Sequence, residues 1–238
     1  FNFKYQVLKQ MKEFKLSNRL SACAESVTPN SKIADIGTDH AYIPIYLGLT
    51  KKISHALACD VRSGPLENAK KNINFYNLNN IIETRLSDGL ENVSENEADE
   101  IIIAGMGGNM ISNILENCSW KNKKSKKFIL QPMKYENKLR AYLALKGYEI
   151  QNETAVICSE KVYSVMTCVF TNIPYKITPV QEYIGKITIN QNFASKSYIK
   201  KQIKNLQNLE KGAKATDNIE ESEKYSSIVS TLLQELKN

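Results

Sequence analysis

The run Ile101-Ile102-Ile103-Ala104 narrows what this chain can become more than any other stretch. Consecutive β-branched residues put apolar groups on both faces of an extended segment. A strand buried on both faces belongs inside a mostly parallel sheet with helices above and below. Gly105-Met106-Gly107-Gly108 then ends the strand in a tight turn, and a helix is expected over 109–116.

The same alternation extends to either side. Residues 1–28 read as a helical entry, with Leu16, Leu20, Cys23, Ala24 and Val27 at three- and four-residue spacing before Thr28-Pro29-Asn30-Ser31 breaks it. Strands are expected over 32–36, 53–59, 82–86, 101–104 and 128–132, and further helices over 41–49, 65–76 and 138–146. Pro65 falls in a first helical turn, where its missing N–H matters little. The extended stretches 149–157 and 163–170 are joined too closely for a crossover and form an antiparallel hairpin. The fold class is therefore α/β: a doubly wound sheet finished by an edge hairpin, an architecture that resembles, as a fold analogy only, the Rossmann-like sheet of methyltransferases.

Past Phe170, Pro174 and Pro179 mark a linker. A helix over 190–211, with Phe193, Ile199, Ile203 and Leu206 on one side, is broken by Gly212, and a second helix from Asp217 carries Tyr225, Ile228, Leu232 and Leu236. Two domains are expected: residues 1–172, and a small coiled-coil-like helical hairpin over 173–238.

Ligands of such sheets sit outside the carboxyl ends of the strands, so the first strand-to-helix turn faces them. Here it reads Asp35-Ile36-Gly37-Thr38-Asp39-His40-Ala41-Tyr42. Gly37 permits close backbone approach, and Asp60, with Val61 beside it, ends the second strand where a ribose needs an acid. A pyrophosphate would need G-x-G-x-x-G and would be repelled by Asp35 and Asp39; the same charges suit a cationic sulfonium and an amino group. Asp88-Gly89 fits an adenine slot or a plain turn, and Asp35 fits the cofactor or the capping of nearby N–H groups.

Gly105 and Met106 lie beside the cofactor's reactive end, and Gly107 and Gly108 leave room for a planar substrate. An adenine ring nitrogen already carries the lone pair that a methyl transfer needs. What the reaction requires is positioning and a carboxylate to balance the arriving charge and accept from the base's amino group. Asp39 is the candidate, with Met106 and His40 next to the reaction, although His40 fits a helix cap equally well. His55, on an apolar strand, reads as a core residue.

A net charge of +7 points to a polyanion, or merely to a composition rich in Lys and Asn. Lys121 to Lys127 holds five lysines that a solvated loop would also explain. Lys196, Lys200 and Lys204 recur at helical spacing beside Lys201, a stripe that matches phosphates. Five cysteines without C-x-x-C spacing and only two histidines argue for reduced thiols and no metal site. No apolar run approaches the roughly 20 residues of a membrane span, so a soluble, cytoplasmic protein without a membrane partner is expected.

Together these pieces resemble the bacterial tRNA (adenine-22-N1) methyltransferase family. The matches are Leu16-Ser17-Asn18-Arg19-Leu20, the Ala34 to Pro44 turn, Gly64-Pro65, Asp88-Gly89-Leu90, Ile103 to Gly108, Leu130-Gln131-Pro132 and Tyr163, in order over about residues 15–170. The resemblance implies S-adenosylmethionine as methyl donor, a tRNA substrate, Asp39 as important for activity, and Arg19 on a tRNA-facing surface. Gln131 and Tyr163 join the substrate side on the same ground, and a monomer is expected. Where some members carry Glu, this chain has Asp60, a change that keeps the ribose contact. A small-molecule methyltransferase and an RNA-binding protein that has lost catalysis are the competing readings.

Overall fold

The computed structural model describes residues 14–237. The segments are α1 (Asn18–Glu25), β1 (Ser31–Ile36), α2 (Tyr42–Leu49), β2 (Ile53–Asp60), α3 (Ser63–Phe75), β3 (Ile82–Leu86), β4 (Glu100–Met106) and α4 (Gly108–Glu116). They continue with β5 (Lys127–Pro132), α5 (Glu136–Leu145), β6 (Tyr148–Cys158), β7 (Lys161–Phe170), α6 (Pro179–Ile184), α7 (Ser195–Ala215) and α8 (Ile219–Glu235). One seven-stranded sheet has the order β3-β2-β1-β4-β5-β7-β6. The first five strands are parallel; β7 pairs antiparallel with both β5 and β6. The strand order reverses between β1 and β4, and the crevice above that point is where such sheets bind ligands.

The isoleucine run behaves as a twice-covered strand. Ile101 and Ile103 join the core beneath α4 and α5 with Leu57, Leu130 and Leu139, while Ile102 joins the opposite core with Ile33, Ile45 and Ile73. A third core holds α6, α7 and α8 together through Ile184, Ile199, Leu206 and Leu232.

These helices are rooted in the sheet through a buried cluster. Arg140 on α5 spends every guanidinium hydrogen: on the Glu153 carboxylate (2.6 Å at the shortest), on the carbonyls of Glu182 and Tyr183, and on the Tyr198 hydroxyl at 2.7 Å. The Glu153 carboxylate holds the guanidinium charged and raises its affinity for the proton, and burial pushes the Tyr198 phenol up to about 12. A Cβ on Gly185, which has a left-handed φ of 61°, would overlap Glu153. Glycine is needed for the cluster to close.

Several expectations change. The entry helix starts only at Asn18, and its expected first part, residues 1–13, lies outside the described residues. Gly212 does not break α7: the helix runs to Ala215, because one exposed glycine costs a helix only about 1 kcal/mol. The break comes at Asp217, with a left-handed φ of 53°, and Asn218, whose side chain caps α8 by accepting from the Glu221 N–H. The supposed linker holds α6, opened by a Thr178 and Gln181 capping box. Phe193 precedes α7 and is 90% exposed instead of packing on its apolar side. His55 is half-buried because its strand lies toward the sheet edge there. Within the lysine-rich loop, Lys126 is buried and donates to the Ala98 carbonyl, and Lys127 pairs with Glu100; these two are structural.

Candidate active site

The turn after β1 is tied to the neighbouring strand by two backbone bonds, since the N–H groups of Gly37 and Thr38 both donate to the Cys59 carbonyl, at 2.8 and 2.9 Å. Gly37 has φ 76°, and a Cβ there would overlap the Cε of Met106, whose side chain therefore lies across the turn. Asp35 is buried and accepts from the Thr38 hydroxyl at 2.7 Å, not from the backbone N–H groups that the capping alternative required. Burial pushes its carboxyl up to about 6; the Thr38 bond opposes this and the Asp60 charge adds to it.

Two further left-handed residues, Asp39 and Ala41, complete the turn and leave the Asp39 carboxylate 63% exposed, 3.6 Å from His40 Nε2. His40 is no helix cap, because the N-cap of α2 is Ala41 and no side chain caps it; the His40 ring stacks on Tyr42 at 5.1 Å between centroids.

Two cavities open at the strand ends. The larger, about 650 Å³, is lined by Asp60, Val61, Asp88, Gly89, Gly105 and Met106 among others. The smaller, about 450 Å³, is lined by Phe14, Arg19, Asp35 and Tyr42 among others. Gly37, Asp39 and Ala104 belong to both, so the opening turn is the wall between them.

The larger cavity fits a nucleoside-bearing donor. Asp60 is a buried carboxylate at the end of β2 whose Oδ1 takes the Arg62 N–H at 2.9 Å, Asp88 stands exposed after β3, and Gly89, at φ 54°, adds no side chain. Of the residues expected to hold the donor, Gly37 lies on both cavities and Asp35 lines the smaller one only. Met110, 57% exposed on the first turn of α4, also lines the larger cavity and was not anticipated; its signal was its place three residues past Gly107.

The expected substrate side divides. Arg19 lines the smaller cavity, with its guanidinium 3.0 Å from Gln131 Oε1. Gln131 is wholly buried: the same oxygen accepts from the Gly105 N–H at 3.2 Å and Nε2 donates to the Pro132 carbonyl. It holds the site together from beneath and has no exposed surface to offer RNA. Tyr163 is buried too, under Lys201, whose ammonium bonds Glu136 and the Val162 carbonyl. Gly108 opens α4 and packs directly under the Tyr135 carbonyl, so it serves helix packing; Gly107 is half-buried beside Lys134. Lys196, Lys200 and Lys204 are all exposed on α7, as a phosphate-facing stripe requires. Among the described residues no group of His, Cys, Asp or Glu could hold a metal, and no helix is long and apolar enough to cross a membrane.

A family model described as a methyltransferase domain matches residues 16–166. The tRNA (adenine(22)-N(1))-methyltransferase of Bacillus subtilis (strain 168) is 40% identical over 156 residues, which span 66% of each chain. Among solved structures, the tRNA methyltransferase TrmK of B. subtilis superposes with a TM-score of 0.78 at 30% identity, covering 94% of this chain and 98% of that one. TrmK of M. capricolum, solved with the natural cofactor product S-adenosyl-homocysteine, gives 0.76 at 27% identity, covering 91% and 97%.

Proposed function

The chain belongs to the tRNA (adenine(22)-N(1))-methyltransferase family, and on that premise we propose that it transfers a methyl group from S-adenosylmethionine to N1 of adenine 22 in tRNA. The observation that carries this reading is the wall of Gly37, Asp39 and Ala104 shared by two cavities, which lets a donor and an acceptor meet across one turn.

S-adenosylmethionine, when bound, supplies an electrophilic methyl group. Asp60 accepts from the ribose hydroxyls, and Asp88 from the donor's adenine amine. Val61 and Gly89 flank that slot, and Gly37 with Gly105 lets the ligand approach the backbone closely. Asp35, buried beside Gly37 on the smaller cavity's side of the wall, meets the donor's positive charge across it.

On the acceptor side, N1 of adenine presents its own lone pair, so no base is needed to create the nucleophile. Asp39 holds the exocyclic amino group by accepting from it, takes up its proton as the ring becomes cationic, and orients N1 toward the wall. His40 and Met106 shape the two flanks of this position. The Arg19 guanidinium, fixed by Gln131, lies at the entrance. Adenine N1 is a pairing atom, so the base enters unpaired or is drawn out of its stack.

Residues 173–238 hold the tRNA body, with Lys196, Lys200 and Lys204 on phosphates. The protein acts as a cytoplasmic monomer. The test is incubation with labelled donor and unmodified tRNA, followed by nucleoside-resolved mass mapping. N1-methyladenosine at position 22 is expected, and methylation at another atom or position, or none, overturns the reading. Replacing Lys196, Lys200 and Lys204 by Glu probes the arm without cutting through the buried Tyr198 cluster.

A further inference from the structure

We propose that Lys134, Tyr135 and Lys138 form a docking platform for the single-stranded stretch of tRNA that flanks the methylated base, with the tyrosine ring stacking on a base and the two ammonium groups taking phosphates. This rests on the tRNA reading above and adds a contact site to it.

Where β5 ends, the chain passes through Met133, Lys134 and Tyr135, all exposed, into α5. The loop is stitched to the glycine turn of the active site: Met133 N donates to the Met106 carbonyl and Gly108 N to the Lys134 carbonyl, both at 2.8 Å. The Lys134 side chain lies against Gly107, next in the chain to Met106 on the larger cavity. The loop is therefore a fixed rim and not a free flap.

Tyr135 stands on this rim, 44% exposed, with φ 61° and ψ 38°, a left-handed conformation that glycine or asparagine adopts with less steric strain. The backbone geometry is explained by the packing of its carbonyl on Gly108; the aromatic side chain is not. Lys134 Nζ and Lys138 Nζ each lie 5.2 Å from the ring centroid. Neither forms an ion pair among the described residues, and the adjacent acid, Glu136, is buried and taken by Lys201 at 2.8 Å. Two uncompensated cations gathered around one open aromatic ring complement an anionic strand with exposed bases, because every base offers a face to stack and every nucleotide a phosphate. A protein partner would not need the two charges, and a small substrate would not need a platform outside the cavities.

The test compares full-length wild type with Tyr135→Phe, Tyr135→Asn and the double variant Lys134→Ala/Lys138→Ala. The readouts are affinity for an unmodified tRNA transcript over a range of salt, single-turnover methylation, donor affinity and thermal midpoint. Tyr135→Phe should match wild type. Tyr135→Asn, whose side chain suits the left-handed backbone and keeps the fold, should bind tRNA about ten- to a hundredfold more weakly with donor affinity unchanged. The double lysine variant should lower the slope of log affinity against log salt by about 1.5. Wild-type tRNA affinity in Tyr135→Asn, an unchanged salt slope in the lysine variant, or a parallel loss of donor affinity would overturn the proposal. Absence of tRNA methylation by wild type would instead overturn the reading beneath it.

Discussion

Arg19 and Gln131 stand 112 positions apart in the chain and meet in a 3.0 Å hydrogen bond, and the glutamine oxygen that receives it also receives the Gly105 N–H. One buried atom thus joins a residue of the smaller cavity to a residue of the larger. Removing it leaves a guanidinium and a backbone N–H without their acceptor, a loss of about 2 kcal/mol. Gln131→Ala is expected to lower turnover on tRNA at least tenfold and to raise KM for tRNA more than for the donor. Gln131→Glu keeps the acceptor and should recover most of the rate. Steady-state kinetics with each substrate varied in turn decides the point, and equal losses in both variants would count against it.

Asp39 is exposed and poised on the wall between the cavities, so its neutral isostere should fold normally. Asp39→Asn is expected to cut single-turnover methylation by about 10²- to 10⁴-fold, the usual range for a positioned proton acceptor, with donor and tRNA affinities within about threefold of wild type. Rapid-quench assays at saturating tRNA separate chemistry from binding.

Asp35 titrates near 6 in the fold against 3.8 ordinarily, mainly because it is buried. A carboxyl raised in this way favours the folded state below its unfolded value, and that contribution is lost as the pH climbs through about 6. At pH 7 to 8 Asp35→Asn should therefore stabilise the apo protein, by up to about 3 kcal/mol. Donor binding has the opposite preference, since the cation needs the ionised carboxylate. Affinity for S-adenosylmethionine should fall as the pH drops below about 6 and become flat and weaker in Asp35→Asn. Calorimetric titrations over pH 5 to 8 would show both effects.

Arg140 and Glu153 are 1% and 0% exposed, so neither charge tolerates the loss of the other. Arg140→Ala strands a buried carboxylate and should destabilise by about 3 to 5 kcal/mol, lowering the thermal midpoint on the order of 10 °C. Differential scanning fluorimetry checks this, and a midpoint within 2 °C of wild type, a shift below roughly 1 kcal/mol, would refute it.

The central strands were legible because a strand buried on both faces has almost no freedom in composition: Ile101 to Ile103 had to be apolar throughout, and the core divides them as a pleat requires. The opening turn was legible because it needs specific groups, a glycine at positive φ and acids around it. The burial of Gln131 and Tyr163 was not legible, for the opposite reason. The resemblance alone put them on the substrate side, and their partners lie on distant segments, Arg19 and Lys201, which no local pattern shows. Gly212 misled because a helix held by long packed faces outweighs one residue's propensity. The Arg140 cluster gave no local signal, since its members lie on four separate elements.

The pairing of β1 with β4 joins Ile33 to Glu100 and is braced by a bond from Lys32 N to the Asp99 carboxylate, across 67 positions. Closing a loop of that length costs about 4 kcal/mol in chain entropy before any contact repays it. During synthesis β1, β2 and β3 emerge first, and the crevice has no second wall until β4 leaves the ribosome. The reaction centre is thus among the last parts of the nucleotide-binding half to be organised. A nascent chain stalled before residue 100 would carry Asp35, Gly37 and Asp39 without any site for them to serve.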